Sequence, residues 1–397
     1  MTTPVQTTRD GDVLLVTIDH PPVNALSHAV RVGLMAAVDE LEADATAQAM
    51  VIASTGTVFI GGADIREFAG PRRDPMLNAV CNRLESCGKP IVAAIQGAAL
   101  GGGLEVALAA HARVASPTAH IAFPEVLLGL LPGAGGTQRA PRLAGAALAL
   151  DLMLTGRRLP AAEAVAAGLL DRLHEQPMHE ALRIAHELAA TPATPRRSRD
   201  GTALQPSAHA SAAIAAVRER LSADYPHLYS PARIVDCVEA ALTRAFDDGC
   251  AYEASAFMDC LASPQRQALV HVFFAEREVR TSEQSGVDLV ALGTALREAR
   301  DAAIAQLVRN GNAPADVYAA LSTWGISLDA AAGDARVAPD TVNVCTQAMA
   351  AAAREALASG AARIAADCDV ASIRHAGFPR SRGGVLWYAE HGAAFTS

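Results

Sequence analysis

The sequence predicts an α/β fold for its first half and an all-α fold for the rest. Three observations carry this reading. Short apolar or β-rich runs, VLLVTI (13–18), MVIAST (50–55) and IVAAIQ (91–96), alternate with helical periods up to about residue 175, which is the pattern of an α/β domain. A stretch rich in Pro, Thr, Ser and Arg, TPATPRRSRDGTALQPS (191–207), then reads as an exposed connector. Beyond it the helical period is almost continuous, over 232–247, 252–262, 264–278, 287–310, 314–323 and 340–359.

Each element has a local reason. SHAVRVGLMAAVDELEA (27–43) has helical period, with Ser27 placed to cap its N-terminus. MLNAVCNRLESC (76–87) is a helix stopped by Gly88 and Pro90. Residues 91–110, IVAAIQGAALGGGLEVALAA, approach the length of a membrane span. Gln96, Glu105 and three consecutive glycines would be costly in lipid, so the stretch is expected to be a buried strand, a turn and a helix start. REVRTSEQSG (277–286) is a second polar break. The expected division is therefore 1–190, 191–280 and 281–397. The last third carries a faint echo: ADVYAALSTWGIS (315–327) and CDVASIRHAGFP (368–379) both run from Asp-Val through a short helix to a glycine. A duplicated helical unit and chance similarity in Ala-rich sequence both account for it.

Composition removes several function classes. With 397 residues, 51% hydrophobic and 19% charged, the chain is long enough for a large core. Its net charge of −9, without a basic block, argues against a nucleic-acid partner. Seven cysteines form neither a CxxC pair nor a Cys/His cluster of zinc spacing, so free thiols and no metal are expected. The N-terminus has no basic segment followed by a long apolar one, and with the free thiols this gives a cytoplasmic, non-membrane expectation.

The chemistry concentrates in glycine-rich turns. In GAALGGGLEVAL (97–108), Gly101, Gly102 and Gly103 stand at the mouth of a helix, with Glu105 in its first turn. A helix N-terminus offers unpaired N–H groups and partial positive charge. A glycine there lets a substrate carbonyl approach, which makes an oxyanion site. On these residues alone, a tight strand-to-helix crossing accounts for the triplet equally well. Likewise Glu105 alone fits an acidic residue on a helix dipole, and Glu125 an ordinary residue after Pro124. Three further stretches join them: FIGGADIREF (59–68), where Asp64 is placed to cap a short helix; AFPEVLLGLLPGAGGTQR (122–139), which carries Glu125; and PPVNAL (21–26).

Together, in this order and spacing over roughly residues 10–190, these stretches resemble the crotonase, or enoyl-CoA hydratase/isomerase, superfamily. The resemblance implies a crotonase fold, a spiral of β-β-α units, followed by a helical linker. It implies that the N–H groups of Ala63 and Gly102 form an oxyanion hole for the thioester oxygen of an acyl-CoA. Glu105 and Glu125 stand at the positions that carry glutamates in the hydratases. There the pair orients and deprotonates a water attacking C3, and Glu125 handles the proton at C2. Asn24, Ala25 and Leu26 match the NAL stretch near the CoA moiety. Gly62, Asp64, Ile65 and Arg66 are expected beside it, although a solvated side chain is the better account of Arg66. The implied function is reversible hydration of trans-2-enoyl-CoA in fatty-acid β-oxidation, with Δ3,Δ2-enoyl-CoA isomerisation as a second activity. Coenzyme A enters as part of the substrate.

CLASPQRQALVHVFFAERE (260–278) resembles the linker that follows the hydratase part of multifunctional β-oxidation enzymes. Residues 295–327 and 367–392 resemble two copies of the helical C-terminal part of their 3-hydroxyacyl-CoA dehydrogenase. Between linker and copies the NAD-binding domain is missing, and no strand–GxGxxG–helix occurs in the sequence. His375 and His391 are not matched to the dehydrogenase's catalytic His-Glu pair. NAD is therefore not expected as a cofactor. The linker also implies a monomer or dimer rather than a hexamer, and association with other β-oxidation enzymes is a further expectation. The rival reading is an acyl-CoA-binding or scaffolding subunit that has lost turnover.

Overall fold

A computed structural model of the chain describes residues 3–191, 194–281, 286–328 and 339–395. Its first unit takes the residues up to 221 together with 230–261; 222–229 and 262 onward form the second. The expected linker 191–280 is thus shared between them. Four positions of the polar break at 277–286, residues 282–285, lie outside the described residues.

The first unit is built from strand pairs that feed two sheets. The larger sheet has the order β1 (Val5–Asp10), β2 (Val13–Ile18), β3 (Ala49–Ser54), β5 (Ile91–Ile95), β7 (Ala112–Ala115), β10 (Arg172–Leu173). Only the β1–β2 hairpin in it is antiparallel. The smaller sheet has the order β4 (Val58–Ile60), β6 (Ala98–Leu100), β8 (His120–Ala122), β9 (Leu159–Pro160), parallel up to β8. The first strand of each pair thus joins the large sheet, the second joins the small one, and a helix follows. These helices are α1 (His28–Ala43), α2 (Leu77–Ser86), α3 (Gly102–Ala109) and α4 (Gly136–Ala144). In the first turn of this spiral the second strand is reduced to one bridge, Leu26 to Ala63. This is the expected β-β-α spiral.

The strands read as unbroken apolar runs because both sheet faces are covered. On one face α7 (Pro177–Ala189) brings Ala181 and Ala185 against Val13, Val51, Val92 and Val114. Ser27 caps α1 as expected, accepting from the Val30 N–H at 3.5 Å. The one lysine of the chain, Lys89, donates to the carbonyls of Leu41 (2.7 Å) and Asp44 (2.9 Å), which satisfies the C-terminal end of α1. The unit is completed by α5 (Ala146–Thr155), α6 (Ala161–Ala166), α8 (Ser207–Asp224) up to residue 221, α9 (Ser230–Thr243) and α10 (Phe246–Ala262) up to residue 261.

The second unit is helical: α11 (Pro264–Thr281), α12 (Leu289–Arg309), α13 (Pro314–Trp324), α14 (Pro339–Ser359), α15 (Ala365–His375) and α16 (Val385–His391). The echo seen in the sequence has a counterpart in length. α12 and α14 each have 21 residues, and α13 and α15 each have 11. The turns that end the two copies also meet, the Ser327 N–H donating to the Gly377 carbonyl at 2.9 Å. Buried Arg300 ties the same turns, donating to the Ala376 carbonyl at 2.9 Å. No helix among the described residues is long and apolar enough to cross a membrane.

Candidate active site

The glycine triplet opens on a cavity of about 320 Å³ in the first unit. Gly101 is the N-cap of α3 and has φ +53°, a conformation that side chains disfavour. A Cβ there would also lie 2.8 Å from Glu125 Oε1. A Cβ on Gly102 would come within 2.6 Å of Leu77 Cδ2 and 3.5 Å of the Ala63 nitrogen, filling the space between the two backbone donors. Gly103 packs against the Ile60 backbone of β4. Both accounts of the triplet therefore hold at once: Gly103 makes a tight crossing, and Gly102 keeps a donor open.

Ala63 is brought to Gly102 by the bridge to Leu26, where the Leu26 N–H donates to the Gly62 carbonyl at 2.8 Å. Gly62 itself has φ +114°. Among the described residues, neither the Ala63 nor the Gly102 N–H donates to a protein acceptor. The turn beyond is fixed by Asp64, which accepts from the Arg66 N–H at 3.1 Å and pairs with the Arg66 guanidinium at 2.8 and 2.9 Å. That pairing holds the Asp64 carboxyl below its ordinary value. Glu67 closes the loop onto α1, accepting from the His28 N–H at 2.7 Å and from Arg31 at 2.9 Å.

The two glutamates have unlike surroundings. Glu105 is buried, and its Oε1 accepts from the N–H groups of Ala134 (2.7 Å) and Gly136 (2.8 Å). Loss of hydration pushes its carboxyl up to about 7, against the pull of those two donors. Glu125 sits in the single turn Pro124–Leu128, and its buried Oε2 has no hydrogen-bond partner among the described residues. Burial, and next the charge of Glu105, push it well above the ordinary 4.5.

The turn that holds Glu105 is gripped from two other sides. Arg139, fully buried, donates to the Ala134 carbonyl at 3.0 Å and pairs with Glu85 of α2 at 2.8 Å. Glu253 of α10 accepts from the N–H groups of Gly135 (2.6 Å) and Thr137 (2.9 Å) and from the Thr137 hydroxyl at 2.6 Å. Sequence reasoning passed over Glu253. Its signal was present in the buried stripe Gly249, Glu253, Ala256, Cys260, where one acidic residue interrupts small apolar ones at helical spacing.

The cavity brings together Leu26, Gly62, Ala63, Asp64, Ile65, Gly102, Glu105 and Glu125 of the residues singled out in the sequence. Its apolar wall comes from Phe68, Met76, Leu77, Leu128 and Phe257. Phe257 of α10 meets Phe68 edge-on at 6.2 Å. Asn24, Ala25 and Arg66 do not line it. Asn24, at φ +52°, spends its side chain on the fold: its amide donates to the carbonyls of Thr55 (2.9 Å) and Val58 (2.8 Å) and its oxygen accepts from His20 N–H (2.9 Å). The Ala25 carbonyl meets His20 Nδ1 at 2.9 Å. Arg66 is largely exposed and paired with Asp64. Among the described residues, no three His, Cys, Asp or Glu side chains are grouped as metal ligands.

Comparison with known proteins agrees with this geometry. The family described as enoyl-CoA hydratase/isomerase matches residues 8–227. The chain is 42% identical over 267 residues to the peroxisomal bifunctional enzyme of Danio rerio, covering 67% of this chain and 37% of that one. It is 36% identical over 301 residues to the fatty acid oxidation complex subunit alpha of Shewanella halifaxensis, covering 70% and 42%. The chain thus spans less than half the length of these curated relatives. A crystal structure of enoyl-CoA hydratase/isomerase from Pseudoalteromonas atlantica T6c superposes with a TM-score of 0.51 at 27% identity, covering 69% of this chain and 97% of that one. The chain belongs to the enoyl-CoA hydratase/isomerase family.

Proposed function

We propose that the protein hydrates trans-2-enoyl-CoA thioesters to 3-hydroxyacyl-CoA. The observation that carries this reading is the pair of carboxyls, Glu105, which is buried, and Glu125, whose Oε2 is buried, facing the same cavity as two free backbone donors. The Ala63 and Gly102 N–H groups take the thioester oxygen. Glu105, held by Ala134 and Gly136, accepts a proton from water as its oxygen bonds to C3. The C2–C3 π pair moves onto C2 and the thioester, and the charge that gathers on its oxygen is met by donors that need no reorganisation. Glu125, kept neutral by its dry surroundings, delivers a proton to C2. Passage of one proton from Glu105 to Glu125 resets the pair.

No electrons are gained or lost in this sequence, so it calls for neither NAD nor a metal. Glu125 alone suffices to move a proton between C2 and C4, which supports Δ3,Δ2-isomerisation as a second activity. In this reading the acyl chain lies along Phe68, Leu77 and Phe257, and the CoA moiety leaves past Asp64 and Arg66. An acyl-CoA-binding subunit without turnover would give the two desolvated carboxyls no task. A monomeric or dimeric cytoplasmic enzyme that works beside other β-oxidation activities completes the proposal. The test is loss of the conjugated-thioester absorbance of crotonyl-CoA: rapid loss supports hydration, and tight binding without loss supports the scaffold.

A further inference from the structure

Glu253 occupies a position where a carboxylate is costly. It is 1% exposed, in the middle of α10, on a stripe otherwise made of Gly249, Ala256 and Cys260. All its hydrogen bonds go to one turn. The Gly135 and Thr137 N–H groups and the Thr137 hydroxyl donate to it, while the intervening Ala134 and Gly136 N–H groups donate to Glu105. Four successive peptide N–H groups therefore alternate between two carboxyls on opposite sides of the backbone. Peptide units are planar and stiff, so the direction of each N–H constrains its neighbours. Gly135 has φ +94°, which disfavours the Ser or Asp that would cap α4 locally, and the cap is supplied instead from α10.

We infer that Glu253 is a positioning residue for hydration: by holding the Gly135 and Thr137 N–H groups, it sets the turn whose Ala134 and Gly136 N–H groups aim Glu105 at the reacting water. The inference rests on the hydratase reading. A merely structural cap would stabilise α4 and leave the proton affinity of Glu105 alone. Here the two carboxyls also feel each other, for burial and then the charge of Glu105 raise Glu253 to about 8. The other ionisable groups around them are Glu125 from the turn after β8, Arg139 from α4 with its partner Glu85 from α2, the buried thiols of Cys81 and Cys237, and the half-buried thiol of Cys250. A glutamine in place of Glu253 replaces one acceptor by an amide donor that the turn cannot use, and so loosens the Ala134 and Gly136 N–H groups that hold Glu105.

The experiment compares the full chain with Glu253→Gln and with Thr137→Val, which removes the hydroxyl bond alone. Circular dichroism checks folding, crotonyl-CoA hydration gives kcat and KM against pH, and infrared titration of the Glu105 carboxyl, assigned by its loss in Glu105→Gln, needs no turnover. Glu253→Gln is expected to lower kcat by about tenfold to a hundredfold with KM within about twofold. The acid limb of the profile and the Glu105 titration should both move up, by up to about one unit, as the Ala134 and Gly136 donors that favour its charged form are loosened. Thr137→Val should move the same readouts in the same direction by less. Folded variants with wild-type kcat and an unmoved Glu105 titration overturn the inference. If Glu253→Gln does not fold, an unmoved titration in Thr137→Val overturns it. A wild-type chain that hydrates nothing overturns the hydratase reading, and the titration still decides whether Glu253 governs Glu105.

Discussion

The surroundings of Glu105 and Glu125 differ in one decisive respect. Glu105 is reached by two peptide N–H groups from the turn before α4, whereas Glu125 keeps an oxygen buried with no partner among the described residues. Burial raises both, but only Glu105 has donors from that turn to favour its charged form. The difference teaches how one cavity can supply a base and an acid of the same residue type. The scaffold, rather than the side chain, decides which glutamate holds the proton.

Several changes would break or sharpen that contrast. The largest effect is expected from Glu125→Gln and Glu105→Gln, each lowering hydration by about 10²- to 10⁴-fold while acyl-CoA binding persists. In Glu105→Gln the new amide oxygen can still accept from the Ala134 and Gly136 N–H groups, so the folded baseline is kept. Next comes Gly102→Ala, whose methyl would meet Leu77 and intrude near the Ala63 nitrogen. Its expected cost is about 10²- to 10³-fold in kcat. It should slow the Glu105 and Glu125 variants no further than it slows wild type, since it acts on the thioester oxygen.

A smaller effect concerns stability against pH. Glu105, Glu125 and Glu253 all hold their protons more tightly when folded than the ordinary 4.5. Above that value the folded chain binds more protons than the unfolded one, so their stabilisation is fully present below it. It is lost as pH rises through the folded values, about 7 for Glu105 and about 8 for Glu253. Melting temperature between pH 5 and 9 should therefore fall more steeply for wild type than for Glu125→Gln. Equal slopes would mean that Glu125 is hydrated in the folded chain. The smallest effect is expected from Arg66→Ala, because an exposed guanidinium contributes little. Melting temperature should not change, and KM should rise by no more than about fivefold.

What the sequence disclosed follows the range of each interaction. The large-sheet strands at 13–18, 50–54 and 91–95 were legible as apolar runs, because burial on both faces leaves a local trace. The small-sheet strands β4 and β8, three residues each, are too short to show a period, and their first rung is a single bridge at Leu26. Gly101, Gly102 and Gly103 were visible as a triplet, but only packing separates their tasks. The family resemblance led to Ala63, Gly102, Glu105 and Glu125, which the cavity gathers. It led equally to Asn24, whose amide is consumed by Thr55 and Val58. Glu253 lies 116 positions beyond Thr137, its hydroxyl partner, and no local pattern encodes that pairing. In the second unit, the equal helix lengths give the faint echo at 315–327 and 368–379 a structural counterpart.

In the proposed reaction Glu105 serves the water and Glu125 the proton at C2. The most direct test of this division is deuterium exchange at C2 of butyryl-CoA in heavy water, a substrate that cannot be hydrated and so reports only the proton at C2. Exchange is predicted to persist in Glu105→Gln and to disappear in Glu125→Gln. Exchange that persists in Glu125→Gln and disappears in Glu105→Gln would contradict that division.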